Sequence, residues 1–278
     1  MTILDGKKLK QEILEELKGE VLKLELKPKL VVIQVGTDPA SDVYVNQKEK
    51  MANYIGYNYE HIKFEENVSE EELLSRIDKL NDDKEVSGIL VQMPLPNHLN
   101  SKIIQNRISH LKDVDGLTDL NAGKLIHGED TLVSCTPMGI LDILTIYNIP
   151  LKGEHVVIVG RSDLVGKPLA NLLLNNDATV TICNSKTKNL KDITKTADIL
   201  IVAIGKKHFI TEDMVKYDAT VIDVGINRVD GKLYGDVDFD NVSKRAKYIT
   251  PVPGGVGPMT VAELGKNVLK AYKKIKKM

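Results

Sequence analysis

The stretch VVIVGRSDLVGKPLANLLL, Val156 to Leu174, decides how the second half of the chain is built. An apolar, β-branched run ends at Gly160, the segment RSDLV follows, and Gly166 opens a run with helical apolar spacing. That is the outline of a strand, a tight turn and a helix. Glycine at the strand end lets the backbone approach a ligand with no Cβ in the way. The start of the helix presents N–H groups that favour phosphate, and Pro168 sits early enough for its missing N–H to cost nothing. The glycines do not follow the common G-x-G-x-x-G fingerprint, so on this motif alone a plain strand-to-helix turn competes with a dinucleotide site.

The next strand-like run sharpens the choice. ATVTIC (178–183) leads into Asn184, Ser185, Lys186, Thr187 and Lys188. An NAD site places a carboxylate about 20 residues beyond the glycines, where it binds the ribose hydroxyls. None stands here; hydroxyls and lysines do, with Arg161 in the first loop. That set accepts a 2′-phosphate and points to NADP as cofactor, against the blander reading of Lys186 and Lys188 as surface lysines.

Working outward, strand-like runs also occupy 153–160, 197–205, 219–225 and 248–252. The first half alternates in the same way. KLVVIQVG (29–36), HIKFEE (61–66) and VSGILVQM (86–93) read as strands, and 41–57 and 69–83 as helices, the second opening on a Ser69 capping box. From Pro94 to Thr136 the pattern loosens into turn-rich segments, PLPNH, KDVDG and NAGK, before an apolar helix over 136–149. A last helix follows PVPGGVGPMT (251–260), and its basic end suits a helix C-terminus. The alternation predicts an α/β protein of two three-layer α/β domains with parallel sheets.

The bulk numbers narrow the class. The chain has 278 residues, 42% hydrophobic and 28% charged, with a net charge of −1, which gives no reason to expect nucleic acid or an anionic membrane surface as partner. The N-terminus is charged from the start and no apolar run approaches a membrane span, so a cytoplasmic protein is expected. Cys135 and Cys183 have no pairing or ligand spacing and read as small buried hydrophobes. The six histidines form no ligand cluster, and no metal is expected.

In the first half, Tyr44 and Lys48 are four apart on a predicted helix and share one face. A tyrosine there can stack on a planar substrate while a partly buried lysine, its pKa lowered, handles a proton. A surface pair is the alternative. Gln92 ends a buried strand, where α/β proteins place ligands. Asp113 and Asp115 in KDVDG either hold a ligand's amino groups or make an Asx turn.

Together these segments resemble the bifunctional methylenetetrahydrofolate dehydrogenase/cyclohydrolase family along nearly the whole chain. The resemblance rests on SDVYVNQKEK, ILVQMPLP, KDVDGLTDLNAGKL, CTPMGI, GRSDLVGKPLANLLL, ATVTICNSKT, ADILIVAIGK, VIDVGINR, GDVDF and ITPVPGGVGPMTVAEL, in this order. The family's cofactor turn is similar to G-R-S-x-x-V-G-x-P, which accounts for the glycine spacing. The resemblance implies that Arg161 and Ser185 hold the 2′-phosphate of NADP, that Gly160, Ser162, Val165 and Gly166 line the pyrophosphate and ribose, and that Ile204 and the 225–228 loop with Ile226 lie near the nicotinamide. It implies that Tyr44 stacks on the aminobenzoyl group of the folate and that Lys48 is the catalytic residue, bonded to Gln92. Asp115 would hold the pterin, and the 252–258 loop with Pro258 would close over the folate. The implied architecture is a catalytic domain of 1–137 plus the C-terminal helix 255–278, a Rossmann-like domain of 138–254, a cleft between them and a homodimer. The implied activity oxidises 5,10-methylene-tetrahydrofolate with NADP+ and hydrolyses the product to 10-formyl-tetrahydrofolate.

The chain departs from the family's usual residues at His110, Ser134, Asn184, Lys207–His208 and Asp218, and at none of the four folate-side positions. Three rival readings remain. Tyr44-x-x-x-Lys48 mimics the pair of short-chain dehydrogenases, though there the glycine turn comes first. A shikimate-dehydrogenase-like enzyme shares the layout but has no place for KDVDG. A non-catalytic cofactor-binding regulator would not need Lys48, Gln92 and Asp115.

Overall fold

The structure, a computed structural model, describes residues 1–277. Its strands are β1 (Thr2–Ile3), β2 (Lys29–Val35), β3 (Asn58–Phe64), β4 (Val86–Val91), β5 (His155–Val159), β6 (Thr179–Cys183), β7 (Ile199–Val202), β8 (Thr220–Asp223), β9 (Asn227–Val229), β10 (Lys232–Tyr234) and β11 (Tyr248–Ile249). Its helices are α1 (Gly6–Leu22), α2 (Pro39–Ile55), α3 (Glu70–Asp82), α4 (Ser101–Arg107), α5 (Asp119–Ile126), α6 (Cys135–Ile146), α7 (Gly166–Leu174), α8 (Leu190–Thr194), α9 (Phe239–Val242) and α10 (Val256–Lys276). They form two compact units, one of Met1–Lys10 with Thr136–Thr260, the other of Gln11–Cys135 with the chain from Val261 onward.

The larger sheet has the order β1-β11-β8-β7-β5-β6, with every neighbouring pair parallel. The chain runs from β5 through α7 to β6 on one side, then crosses back to β7 on the other side of β5. The order reverses there, and in open α/β sheets ligands bind at the C-terminal ends of strands flanking such a point. Gly160 follows β5 and the 203–206 turn follows β7, so the strands bring these two segments to one edge. The core under this sheet includes Val157, Val159, Leu200, Val202, Val221 and Ile249, all at most 2% exposed. Such near-continuous apolar strands are what a sheet covered on both faces requires.

The other unit has the parallel order β3-β2-β4. β2 is central, and the same reversal brings the end of β4 against β2, Val91 pairing with Ile33 two residues before the end of β2. β4 is buried throughout. A bridge from Ile89 to Asp113 lays the KDVDG segment alongside it. Lys112, 6% exposed, fixes that segment from the other side: its Nζ donates to the carbonyls of Leu80, Asn81 and Asp83 at 2.9, 2.7 and 2.6 Å. A cation at the end of α3 meets both the free carbonyls and the negative end of the helix dipole.

Three elements differ from the sequence expectation. The N-terminal residues join the larger sheet, Thr2 and Ile3 pairing with Tyr248 and Ile249, so they belong with β5–β8 and not with the first half. The loosened 94–136 segment contains α4 and α5. Asn100 caps the first by accepting from Lys102 and Ile103 N–H, and Thr118 the second by accepting from Asn121 N–H. α10 starts at Val256, earlier than the helix that spacing places after 251–260 and within a residue of the 255–278 helix that the resemblance implies, with Pro258 in its first turn where proline is tolerated. α3 follows the expected capping, Ser69 Oγ accepting from Glu72 N–H at 3.1 Å. Among the described residues no helix is long and apolar enough to cross a membrane.

Candidate active site

α2 presents Lys48. The Asp38 carboxylate accepts from Ser41 N–H at 2.8 Å and so starts the helix, and Gly56, at φ +93°, ends it. Val45, Met51, Ala52 and Ile55 bury one face. Lys48 lies at its margin, half-buried, and Tyr44 one turn earlier is 47% exposed. Lys48 Nζ donates to Gln92 Oε1 at 2.5 Å. Gln92 follows β4, is 8% exposed, and hands its own N–H to Ile33 O at 2.8 Å. Its side-chain NH2 donates to Met93 O at 2.6 Å, which turns the amide so that the oxygen faces Lys48.

The structure separates the two aspartates that spacing alone left open. Asp113 is 2% exposed, and its oxygens accept from Leu117 N–H, Thr118 N–H and Asn121 Nδ2 at 3.2, 2.8 and 2.8 Å. It is the turn former. Asp115, two residues on and half-buried, lies beside Lys48 and the Cys135 thiol. Gly116 must be glycine: its φ is +68°, and a Cβ would sit 2.4 Å from Val133 C. Asn267 of α10 holds both sides of this loop, its Nδ2 donating to Val114 O and Val133 O at 2.9 Å each.

The electrostatics follow from burial. Desolvation pulls the Lys48 ammonium below its ordinary value, opposed by the Asp115 carboxylate. Desolvation pushes Asp115 up, opposed by the Lys48 charge. Burial likewise raises the Cys135 thiol well above its usual value. The arrangement can take up and return a proton at Lys48 Nζ while Asp115 offers a carboxyl to a polar ring.

In the other unit the glycine turn is built as its spacing requires. Gly160 has φ +131°, its N–H donates to Cys183 O at 2.9 Å, and a Cβ would lie 2.3 Å from Ala203 O. At Gly166 a Cβ would meet Gly160 O at 2.3 Å. Ser162 Oγ accepts from Val165 N–H at 3.2 Å, closing the turn ahead of α7. Among the described residues the Gly166 N–H meets no acceptor, which leaves a donor at the helix start for an anion. Val159 pairs with Cys183, so 160–161 and 184–185 leave the sheet from adjacent strand ends. Arg161 and Ser185 are both exposed there. Asn184 shapes the second loop, its Oδ1 accepting from Lys186 N–H and its N–H donating to Thr187 Oγ1. Exposed cation, hydroxyl and free amide fit an anionic dinucleotide. Ile204 is half-buried after β7, and Ile226 is 51% exposed, its Cδ1 3.6 Å from where a Cβ on Gly257 would stand. Pro258 belongs to this unit, and Tyr44, Lys48, Gln92 and Asp115 belong to the other. Among the described residues no group of three or more His, Cys, Asp or Glu is placed to hold a metal.

Two buried carboxylates that the sequence reading did not single out lie at the ends of β7 and β8. Asp223, 3% exposed, accepts from Gly225, Asp236 and Val237 N–H at 3.0, 2.9 and 2.9 Å. Asp236, 0% exposed, accepts from the N–H groups of Ile204, Gly205 and Lys206 and from Asn227 Nδ2. Burial pushes the Asp223 carboxyl up to about 6, against the hydrogen bonds it accepts from Val237 and Asp236. A carboxyl raised in the folded state favours folding when protonated. Its contribution is full below about pH 4 and is lost as pH rises through 6, a change of roughly 3 kcal/mol. Asp223→Asn removes this titration. The gap in urea-unfolding free energy between wild type and variant is therefore expected to shrink from pH 4 to pH 7. A gap that stays flat would show that Asp223 does not titrate in that range.

Comparison with known proteins adds to the geometry. Tetrahydrofolate dehydrogenase/cyclohydrolase, catalytic domain, matches residues 4–115, and its NAD(P)-binding domain matches residues 134–276. The bifunctional protein FolD of Halalkalibacterium halodurans is 53% identical over 274 residues, 98% of each chain. The solved bifunctional FolD enzyme of Campylobacter jejuni, a methylenetetrahydrofolate dehydrogenase/cyclohydrolase, superposes with a TM-score of 0.97 at 46% identity over 99% of both chains. The Trypanosoma brucei FolD, solved with NADP cofactor and an inhibitor, gives a TM-score of 0.95 at 36% identity over 100% of this chain and 99% of that one.

Proposed function

The chain belongs to the tetrahydrofolate dehydrogenase/cyclohydrolase family, and on that premise we propose how its residues divide the work. It is a bifunctional one-carbon enzyme. It oxidises 5,10-methylene-tetrahydrofolate to 5,10-methenyl-tetrahydrofolate with NADP+ and hydrolyses that product to 10-formyl-tetrahydrofolate. The short-chain and shikimate-type alternatives and the non-catalytic regulator have no support in the family match.

The observation that carries the residue assignment is the Lys48–Gln92 hydrogen bond beside Asp115. Asp115 holds the pterin through its amino and ring nitrogens, and Tyr44 stacks on the aminobenzoyl group. In hydrolysis, water adds to the methenyl carbon. Lys48 Nζ, neutral more often than an exposed lysine because burial disfavours its charge, accepts the water proton. The resulting ammonium returns that proton to the ring nitrogen as its bond to the carbon breaks, while the hydroxyl now on the carbon gives up its own proton to solvent and becomes the carbonyl of the formyl group left on the other nitrogen. Gln92, its amide locked by Met93, holds Nζ in line throughout.

NADP+, when bound, supplies the acceptor for the hydride. Gly160, Ser162, Val165 and Gly166 take its pyrophosphate and ribose, Arg161 and Ser185 its 2′-phosphate, and Ile204 and Ile226 the nicotinamide side. A homodimer without nucleic-acid partners, working in the cytoplasm, completes the reading.

Initial rates with 5,10-methylene-tetrahydrofolate, one set with NADP+ and one with NAD+, test it. Strong turnover with NADP+ is expected. Turnover mainly with NAD+ would overturn the roles of Arg161 and Ser185, and none with either would overturn the enzyme assignment.

A further inference from the structure

We infer that Asp236 is a positioning residue for hydride transfer, its carboxylate fixing in one place the 204–206 turn and the Asn227 side chain that flank the nicotinamide. The inference rests on the reading of Ile204 and Ile226 as nicotinamide-side residues. It names a residue outside the assigned site that decides where they stand.

The hydrogen bonds are unusually complete. Oδ2 accepts from Ile204 N–H at 2.7 Å and Gly205 N–H at 3.0 Å. Oδ1 accepts from Lys206 N–H at 2.7 Å and Asn227 Nδ2 at 2.9 Å. A carboxylate offers about four acceptor sites, and these four donors use them. No oxygen remains for a ligand, and the side chain is fully buried, so Asp236 acts only through the groups it holds.

Those groups come from two separate segments, a turn outside any strand or helix and the first residue of a two-stranded hairpin, where Asn227 pairs with Tyr234. The 204–206 turn leaves β7, and Asn227 opens the β9–β10 hairpin after β8. Two features show that the carboxylate's place is built and not incidental. A Cβ on Gly225 would lie 2.2 Å from Asp236 Cγ, so glycine there makes room for it. Asp223 Oδ1 accepts from the Asp236 N–H at 2.9 Å, and Thr250 Oγ1 in turn accepts from Asp223 N–H at 2.7 Å. The chain of bonds runs from the sheet to Asp223, to Asp236, to both segments. An amide at 236 would turn an NH2 toward two of these donors, and an unpaired buried donor is costly.

Asp236→Asn separates positioning from folding because the protein has two activities and only one needs the nicotinamide. NADP+ affinity is read by isothermal titration calorimetry, dehydrogenase by methylene oxidation, and cyclohydrolase with 5,10-methenyl-tetrahydrofolate supplied directly. The expected result is an NADP+ Kd raised tenfold or more, dehydrogenase kcat/KM lowered a hundredfold or more, and cyclohydrolase within threefold of wild type. Asn227→Ala, which removes one arm without touching the buried carboxylate, should shift Kd and dehydrogenase in the same direction by a smaller factor. It provides the readout if Asp236→Asn does not fold. Unchanged Kd and dehydrogenase would overturn the inference, and so would a parallel fall of both activities, which is what loss of fold alone produces. If the wild type binds NADP+ but turns over no folate, the functional reading fails while the Kd ratio still decides this one.

Discussion

Lys48→Met is expected to abolish hydrolysis of 5,10-methenyl-tetrahydrofolate, lowering kcat by about a thousandfold or more, in the range that loss of a positioned acid/base group produces. Methionine keeps much of the apolar stem and removes the amine that carries a proton between water and the ring nitrogen. Little stability should be lost, because a half-buried ammonium is itself costly to desolvate. Lys48→Arg sharpens the test. It keeps the charge beside Asp115 but cannot release its proton at ordinary pH. If Arg restores hydrolysis to a tenth of wild type or better, Lys48 acts by charge and not by proton transfer. The pH profile follows from the direction of the shift. Since burial favours the neutral amine, cyclohydrolase should climb with rising pH along a limb centred below the ordinary lysine value.

Asp115→Ala should raise the folate KM about a hundredfold or more in both reactions, leaving the calorimetric Kd for NADP+ unchanged. Both reactions suffer because both need the pterin held. A site built around one hydrogen-bonding group loses most when that group goes, since the ligand's buried donors are left without acceptors. Asp113, though only two residues away, is the wrong residue for this test. Three internal donors depend on it, so its loss would register first as unfolding of the loop. Asp115→Ala kinetics indistinguishable from wild type in both reactions would remove it from the folate site.

The alternation of apolar runs made most of the fold legible, because strands buried on both faces must be continuously apolar and their crossovers helical. Lys48, Tyr44, Gln92 and Asp115 were legible as candidates from spacing and position. What spacing alone could not separate was Asp113 from Asp115, which only the resemblance told apart, because both occupy the same turn and only their donors differ. Asp236 escaped for a related reason: three of its four partners lie about thirty residues earlier in the chain. Those three are also backbone amides, which carry no residue signature. α4 and α5 were missed although Asn100 and Thr118 cap them, since seven- and eight-residue helices are too short to show a period. Two-residue β1 has no pattern at all.

That short strand carries a consequence for how the protein comes into being. β1 lies at the edge of the larger sheet and bonds to β11, its partner from almost the far end of the chain, through Thr2 N–H to Lys247 O and Leu4 N–H to Ile249 O. During synthesis β1 leaves the ribosome long before β11 and must wait for it. Domains that fold as the chain emerges do so from local segments. The unit of β2–β4 can gather most of its strands early, but the edge of the larger sheet closes only as one of the last events. Long-range parallel pairing of this kind is also slow to nucleate. Residues made early are thus held back until a strand made much later arrives to place them.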